Sequence, residues 1–172
     1  MNTSFEPKRI ALGAMLCCVL LTASGWLAAQ TQTPTPPKPV SATTQDKSTL
    51  TIHIVGFRSA KGRINIALFR NAVGFPSDPA SAAASQRLEI NPQTMSATAV
   101  FKDLPQGVYA VSVFHDENLT GKMEFDAQGI PRNGYGFSNN PDTSFGPPAP
   151  DQAKFTVTQT ETTIEIKLIY WP

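Results

Sequence analysis

Cysteine is almost absent from this chain. Its only two cysteines among 172 residues are the neighbours Cys17 and Cys18. Adjacent residues are too close at Cα for an ordinary disulfide, and Leu16 precedes Cys17 where a bacterial lipid-attachment motif requires a small residue. The sequence therefore predicts neither a disulfide nor a lipid anchor, and burial alone must stabilise the rest of the chain.

A strong charge of either sign is missing as well. The chain has 14 Lys plus Arg and 13 Asp plus Glu. Leaving out Glu6, Lys8 and Arg9 near the start gives 12 of each. This balance excludes the basic surface that nonspecific nucleic-acid binding needs. No apolar run after residue 21 is long enough to cross a bilayer, so no membrane span is expected in the mature protein.

The first 29 residues have the layout of a secretory signal peptide. Lys8 and Arg9 precede an apolar run over residues 10–21, and small residues follow at 22–25 and at Ala28 and Ala29. The run is shorter than the roughly 20 residues that cross a bilayer. We predict cleavage after Ala29, with Gly25 as the alternative, and a periplasmic or secreted protein. Residues 30–47, rich in Pro and Thr, are predicted to be a flexible tether before one domain at 48–172.

A period of two dominates the predicted domain. Apolar residues alternate with polar ones over 50–54 and again over 64–68, which predicts a β-hairpin with its turn at 60–62. Further strands are predicted at 87–90, 95–101, 108–115, 153–157 and 162–170. Only residues 79–85 have helix-forming composition, enough for one or two turns. The predicted fold is all-β, a single antiparallel β-sandwich of about seven strands.

A polar, glycine-rich stretch follows the strand at 108–115 and extends over residues 115–140. Loops of this length inside compact domains are usually functional or disordered. This one carries apolar residues at intervals that can anchor it to a core: Met123, Phe125, Ile130, Tyr135 and Phe137. We therefore expect an ordered loop that holds the functional site.

Several motifs in this region match a known family. They are F-x-x-L-P-x-G-x-Y-A-V-x-V-x-H-D-E-N, then G-K, then G-I-P-x-x-G-Y-G-F-S-N-N, and a Pro-rich bend before A-x-F. Through these motifs, residues 50–170 of the chain resemble the bacterial domain of unknown function family 2141. The resemblance implies an exported antiparallel β-sandwich, immunoglobulin-like or transthyretin-like. The family pattern tends to read H-D-x-N-x-N-G-x-x-D, whereas this chain has Leu119-Thr120 before the glycine and Glu124 in place of the last Asp.

Oxygen-bearing side chains in the first half of the loop suggest a calcium site. Asp116, Asn118, Thr120 and Glu124 follow calcium-loop spacing, with Gly121 at the bend. The bidentate Glu and the flanking helices of an EF-hand are missing, so a bound calcium ion would be structural. The alternative is that these side chains only bond the backbone of a turn. No other cofactor is expected.

A small hydrolase is the enzymatic alternative. His115 and Asp116 could supply a base and its partner, with Ser138 or Ser144 as nucleophile. Neither serine lies in a G-x-S-x-G elbow, and His115 could serve only to hold the folded loop. Two isolated histidines do not predict a catalytic zinc site. We therefore favour a protein without enzymatic activity over a hydrolase.

The second half of the loop suggests recognition of a peptide or glycan. Arg132, Tyr135, Phe137 and Asn139 are the predicted binding residues. The alternative is that both rings point inward and the asparagines cap turns. The sequence thus predicts an exported binding or accessory module that acts on an envelope protein, peptide or glycan. A purely structural envelope module is the other alternative.

Overall fold

Alternating apolar residues form the strands that dominate the structure. The computed structural model describes residues 47–158 and 160–171. The predicted signal peptide and residues 30–46 of the predicted tether lie outside them. The strands are β1 (Lys47–Val55), β2 (Arg63–Arg70), β3 (Ala84–Leu88), β4 (Ala97–Pro105), β5 (Gly107–Asp116), β6 (Tyr135–Phe137), β7 (Phe155–Val157) and β8 (Glu161–Lys167). The described chain is therefore mostly β, as predicted, with eight strands instead of about seven.

The strands form two sheets. The smaller has the order β4-β1-β8, and the larger has the order β3-β2-β5-β6 with β7 also beside β5. In the smaller sheet β1 pairs antiparallel with β4 but parallel with β8, with Ile52 opposite Ile164. The prediction of purely antiparallel sheets is wrong at this pair. Alternation decides which face of a strand is buried, but it carries no information about strand direction.

The predicted hairpin between the first two strands is also wrong. β1 belongs to the smaller sheet and β2 to the larger one, where β2 pairs with β5 from Arg63 opposite Asp116 to Arg70 opposite Tyr109. Residues 56–62 therefore form a corner between the sheets. Gly56 and Gly62 at its ends have φ of 82° and 77°, values that favour glycine. A short glycine-containing connection suits either a hairpin or a corner, so its length does not distinguish them.

Inward-facing side chains of both sheets form one buried apolar cluster. Leu50, Ile52 and Ile54 of β1 share it with Ile64 and Ile66 of β2. A second cluster contains Phe69, the residue after Leu68 on β2, and therefore lies on the other face of the larger sheet. It also contains Phe75, Ala110, Tyr135, Phe137 and Ala153. The predicted loop contributes its β6 segment to this second cluster.

An asparagine side chain covers part of the outer edge of β8. The amide Oδ1 of Asn140 accepts a hydrogen bond from Lys167 N at 2.8 Å, and its Nδ2 donates to Glu165 O at 3.1 Å. These two backbone groups face away from β1, because residues 165 and 167 alternate with the inward-bonding ones. Asn140 therefore takes the place of a neighbouring strand along this stretch.

Helical structure is limited to single turns in the described residues. A 3-10 turn spans Pro79–Ser81, capped by the Asp78 carboxylate, which accepts a hydrogen bond from Ala80 N at 3.1 Å. An α-helical turn, α1, spans Pro150–Ala153. Over residues 47–158 and 160–171, no helix has the length and apolar character needed to cross a membrane.

Substituting Gly62 tests how tightly the corner packs on the end of β5. A Cβ at Gly62 would lie 2.1 Å from Asp116 O and 2.6 Å from Glu117 Cα. Gly129 is a matched control, since its φ is +79° and a Cβ there meets nothing within 4 Å. We expect Gly129→Ala to lower the free energy of unfolding by about 1 kcal/mol. Gly62→Ala should lower it by at least about 3 kcal/mol in urea denaturation. Equal losses would contradict the close packing.

Candidate functional site

All four hydrogen-bonding groups of His115, at the end of β5, are used within the fold. The ring is fully buried. Its Nε2 lies 2.7 Å from Lys61 O and its Nδ1 lies 2.7 Å from the Tyr170 hydroxyl. Because a carbonyl oxygen only accepts, Nε2 carries a hydrogen and donates to Lys61 O, while Nδ1 and the Tyr170 hydroxyl share the second bond. The backbone N donates to Gly134 O, and the carbonyl accepts from Asn133 Nδ2.

This geometry gives the hydrolase alternative no support. Neither ring nitrogen of His115 is paired with a serine. Ser138 is buried, and its Oγ donates to Ala153 O and accepts from Val111 N. Ser144 is exposed, and its Oγ donates to Asp142 Oδ1 at 2.6 Å. Both serines therefore make local structural bonds, and a catalytic role for His115 and Asp116 stays a prediction for an activity assay.

Asp116 organises the turn that follows β5. Its carboxylate is 1% exposed. Oδ1 accepts from Thr120 N at 2.9 Å and Oδ2 accepts from Gly121 N at 2.8 Å. Asn65 Nδ2 on β2 donates to Oδ2 at 3.4 Å. This pattern, in which one carboxylate satisfies successive backbone amides, is that of a side-chain-closed turn.

The other predicted calcium ligands take part in the same turn. Asn118 Nδ2 donates to Glu124 Oε2 at 3.0 Å, and the Thr120 hydroxyl donates to Lys122 O at 3.3 Å. Within the described ranges, no group of three His, Cys, Asp or Glu side chains is arranged to hold a metal ion. These side chains therefore bond to other groups of the same turn, and calcium binding remains a prediction from their spacing.

An ion pair that the sequence did not predict holds the same end of the molecule. Arg58 Nε lies 3.1 Å and 3.0 Å from the two carboxylate oxygens of Glu117, and Nη2 bonds one of them. The Ser59 hydroxyl donates to Glu117 at 2.9 Å. The bond from Arg58 lowers the pKa of Glu117, and Glu117 in turn raises the pKa of Arg58. Arg58 also lies 4.7 Å from the centre of the Tyr170 ring, a cation–π distance.

The four predicted binding residues have different environments. Tyr135 and Phe137 are only 6% and 7% exposed and belong to the second apolar cluster. Their rings therefore anchor the segment, which corrects the prediction that they form an open recognition surface. Asn139 is exposed, but its Nδ2 donates to Gln152 O and Lys154 O at the end of α1. Arg132 is exposed on the loop.

A groove of about 440 Å³ lies between two segments to which the sequence assigned no binding role. One wall is formed by residues 141–144 and the other by 169–171, with Tyr135 at the base. The Tyr135 amide donates to Ile169 O at 2.9 Å and its carbonyl accepts from Ile169 N at 2.8 Å. This two-bond bridge fixes the C-terminal segment beside β6.

Hydrogen bonds hold the aromatic rings of the groove in place. Trp171 Nε1 donates to the Tyr135 hydroxyl at 2.8 Å, and that hydroxyl lies 3.4 Å from Thr143 Oγ1. The Tyr170 ring lies against the backbone of Gly134, where a Cβ would come within 2.2 Å of Cε1. Partial burial raises the pKa of Tyr170, so its hydroxyl keeps its proton. The indole of Trp171 nevertheless stays 39% exposed.

Charge at the groove comes from Asp142. Its Oδ1 accepts from both the backbone amide and the hydroxyl of Ser144, at 2.9 Å and 2.6 Å. These bonds lower the pKa of Asp142, which therefore remains negative at neutral pH. Phe145, which follows Ser144 in the chain, is fully exposed. An exposed aromatic residue adjoining a groove of this kind is a common feature of binding surfaces.

Comparisons with known proteins identify one family. The model of the family described as "Uncharacterized protein conserved in bacteria (DUF2141)" matches residues 52–165. No curated protein and no solved structure matches the chain. The matched range includes the end of β1, all of β2 to β7 and most of β8, together with Asp116, Asp142 and the segment between them.

Asp116→Asn tests the carboxylate-closed turn. The Asp116 carboxylate accepts through both of its oxygens, whereas an Asn side chain has one oxygen and one NH2 group. In the variant, one of the two bonded backbone amides would therefore face the NH2 group, which is also a donor. We expect the free energy of unfolding to fall by about 1.5–3 kcal/mol in urea denaturation. Asp126→Asn is the matched control, because a single oxygen of Asp126 accepts from both Gln128 N and Ile130 N. A loss at position 126 as large as that at 116 would contradict this account.

The same pair of variants tests the calcium prediction. If calcium binds the turn, millimolar calcium should raise the Tm of the wild type and of Asp126→Asn, but not that of Asp116→Asn. An unchanged wild-type Tm would leave the turn closed by hydrogen bonds alone and would contradict the calcium site.

The Arg58–Glu117 pair predicts a pH dependence of stability. Because the pKa of Glu117 in the fold is below its usual 4.5, the pair stabilises above pH 4.5 and is lost as the pH falls through the lowered value. Glu117→Gln should lower stability at neutral pH by about 1 kcal/mol or less. It should also reduce the loss of stability that the wild type shows as the pH falls below 4.5. Glu161→Gln, at an exposed carboxylate of β8, should leave that decline unchanged; matching acid profiles of the two variants would contradict the assignment.

Proposed function

We propose that this chain, which belongs to the DUF2141 family of uncharacterized bacterial proteins, is an exported binding or accessory module of the cell envelope. Its ligand site would be the groove between residues 141–144 and 169–171. The observation that carries this proposal is a partly exposed Trp171 held rigidly by a hydrogen bond to Tyr135. A binding surface with fixed side chains loses little conformational entropy when a ligand arrives.

The groove favours binding over a purely structural role. An aromatic side chain of a structural module gains most stability when fully buried. Trp171 and Ile169 instead remain 39% and 38% exposed, while the indole N–H of Trp171 and both backbone polar groups of Ile169 are bonded. Aromatic rings with an apolar face and a satisfied polar end are enriched at interfaces.

The location and the finer architecture are part of the proposal. The charged start, apolar run and small residues of positions 1–29 support export to the periplasm or beyond. Fractionation of cells that express the full chain checks this, and an exclusively cytoplasmic protein would contradict it. The shared buried cluster of β1 and β2 supports an open β-sandwich, immunoglobulin-like or transthyretin-like, as the arrangement of the two sheets.

Trp171→Ala tests the groove as the binding site. The full-length chain is screened against arrays of peptides and envelope glycans, and hits are measured by calorimetry. We expect Trp171→Ala to weaken a specific ligand by at least about tenfold. Phe125→Ala, at an exposed ring of the 115–140 loop, should leave the affinity unchanged, as should Arg132→Ala.

The variants also separate the groove from the loop surface predicted from sequence. A ligand lost in Arg132→Ala but retained in Trp171→Ala would overturn the groove and favour the loop. Circular dichroism and Tm confirm that each variant is folded before its affinity is compared.

A further inference from the structure

We infer that the groove binds a basic, proline-rich peptide segment of a partner protein in an extended conformation. This inference rests on the proposed function and names the class of ligand. It follows from three features of the groove: the charge on its rim, the state of its polar groups and the shape of its aromatic wall.

The charge of the groove selects a cation. Asp142 is the only charged residue among those that line it, and its carboxylate is at the surface. Both bonds from Ser144 go to Oδ1, and within residues 47–158 and 160–171 no hydrogen bond occupies Oδ2. A Lys or Arg of a ligand can pair with this oxygen, whereas an acidic ligand would be repelled.

The polar groups of the groove argue against a glycan. Recognition of sugar hydroxyls needs several free donors and acceptors. Here Trp171 Nε1, the Tyr135 hydroxyl and Thr143 Oγ1 are bonded to each other. The Tyr170 hydroxyl is bonded to His115. The side chains of the groove therefore offer aromatic and apolar surface with one free carboxylate oxygen, which suits a cationic side chain beside apolar groups.

The shortage of free side-chain acceptors in the groove favours proline in the ligand. A backbone N–H pressed against the rings would lose water without gaining a partner, at a cost in free energy. Proline has no N–H, and proline-rich segments are preformed as extended polyproline II helices that dock on aromatic grooves at low entropic cost. The partly exposed Trp171, which lines the groove, provides a flat surface for a proline ring.

Calorimetry of the full-length chain with defined probes tests the inference. The probes are peptides of the repeats Pro-Pro-Lys, Pro-Pro-Gln and Pro-Pro-Glu, and an N-acetylglucosamine oligosaccharide. We expect Pro-Pro-Lys to bind about threefold more tightly than Pro-Pro-Gln, Pro-Pro-Glu to bind least, and the preference to shrink with added salt. Asp142→Asn should remove the preference for Lys. Asp151→Asn, at an exposed carboxylate of α1, should retain it.

Trp171→Ala should weaken Pro-Pro-Lys and Pro-Pro-Gln alike, by about tenfold. Equal affinities for the three peptides, or a Lys preference that persists in Asp142→Asn, would overturn the inference. Binding of the oligosaccharide without any peptide, if lost in Trp171→Ala, would overturn the ligand class and keep the groove as the site. No binding of any probe would overturn the inference, while the array screen would still decide the proposed function. Peptide binding that Trp171→Ala leaves intact would overturn both.

Discussion

The two hydrogen bonds of the buried His115 ring connect three parts of the chain that are distant in sequence. They join the end of β5 to the 56–62 corner through Lys61 O and to the C-terminal segment through the Tyr170 hydroxyl. A polar ring buried without partners would cost free energy, so the fold gains only when all three segments meet. The position of Tyr170 then sets that of Trp171, and the groove depends on it.

The 115–140 stretch serves mainly to organise this end of the molecule. Asp116 closes its first turn, and Tyr135 and Phe137 of β6 attach its second half to the larger sheet. The groove that it supports is lined by Tyr135 of this stretch and, beyond it, by residues 141–144 and 169–171. The stretch that the sequence predicts to hold the functional site thus supports the proposed groove beside it.

The sequence predicted the strands better than their partners. Alternation over 50–54 and 64–68 correctly located β1 and β2, because local periodicity reports burial on one face. It could not reveal that the two strands lie in different sheets, or that β8 runs parallel to β1, since pairing depends on contacts distant in sequence. β6 was missed because Gly134 and Gly136 flank Tyr135 and resemble a loop. Both glycines are needed there, since a Cβ would collide with Tyr170 at one and with Ile166 at the other. The groove brings together residues 135, 141–144 and 169–171, and no spacing rule links them.

The Asn140 amide has a consequence for how copies of this protein behave toward one another. Strand β8 is the last strand of its sheet, and an unpaired edge is a template on which another chain can extend the sheet. Asn140 occupies Glu165 O and Lys167 N in the second half of β8, which leaves the first half as the continuous open stretch. A two-stranded pairing that short is marginal in water, and Glu161 at its start adds like charge between copies. One amide side chain thus shortens the edge of β8 that is open to another copy.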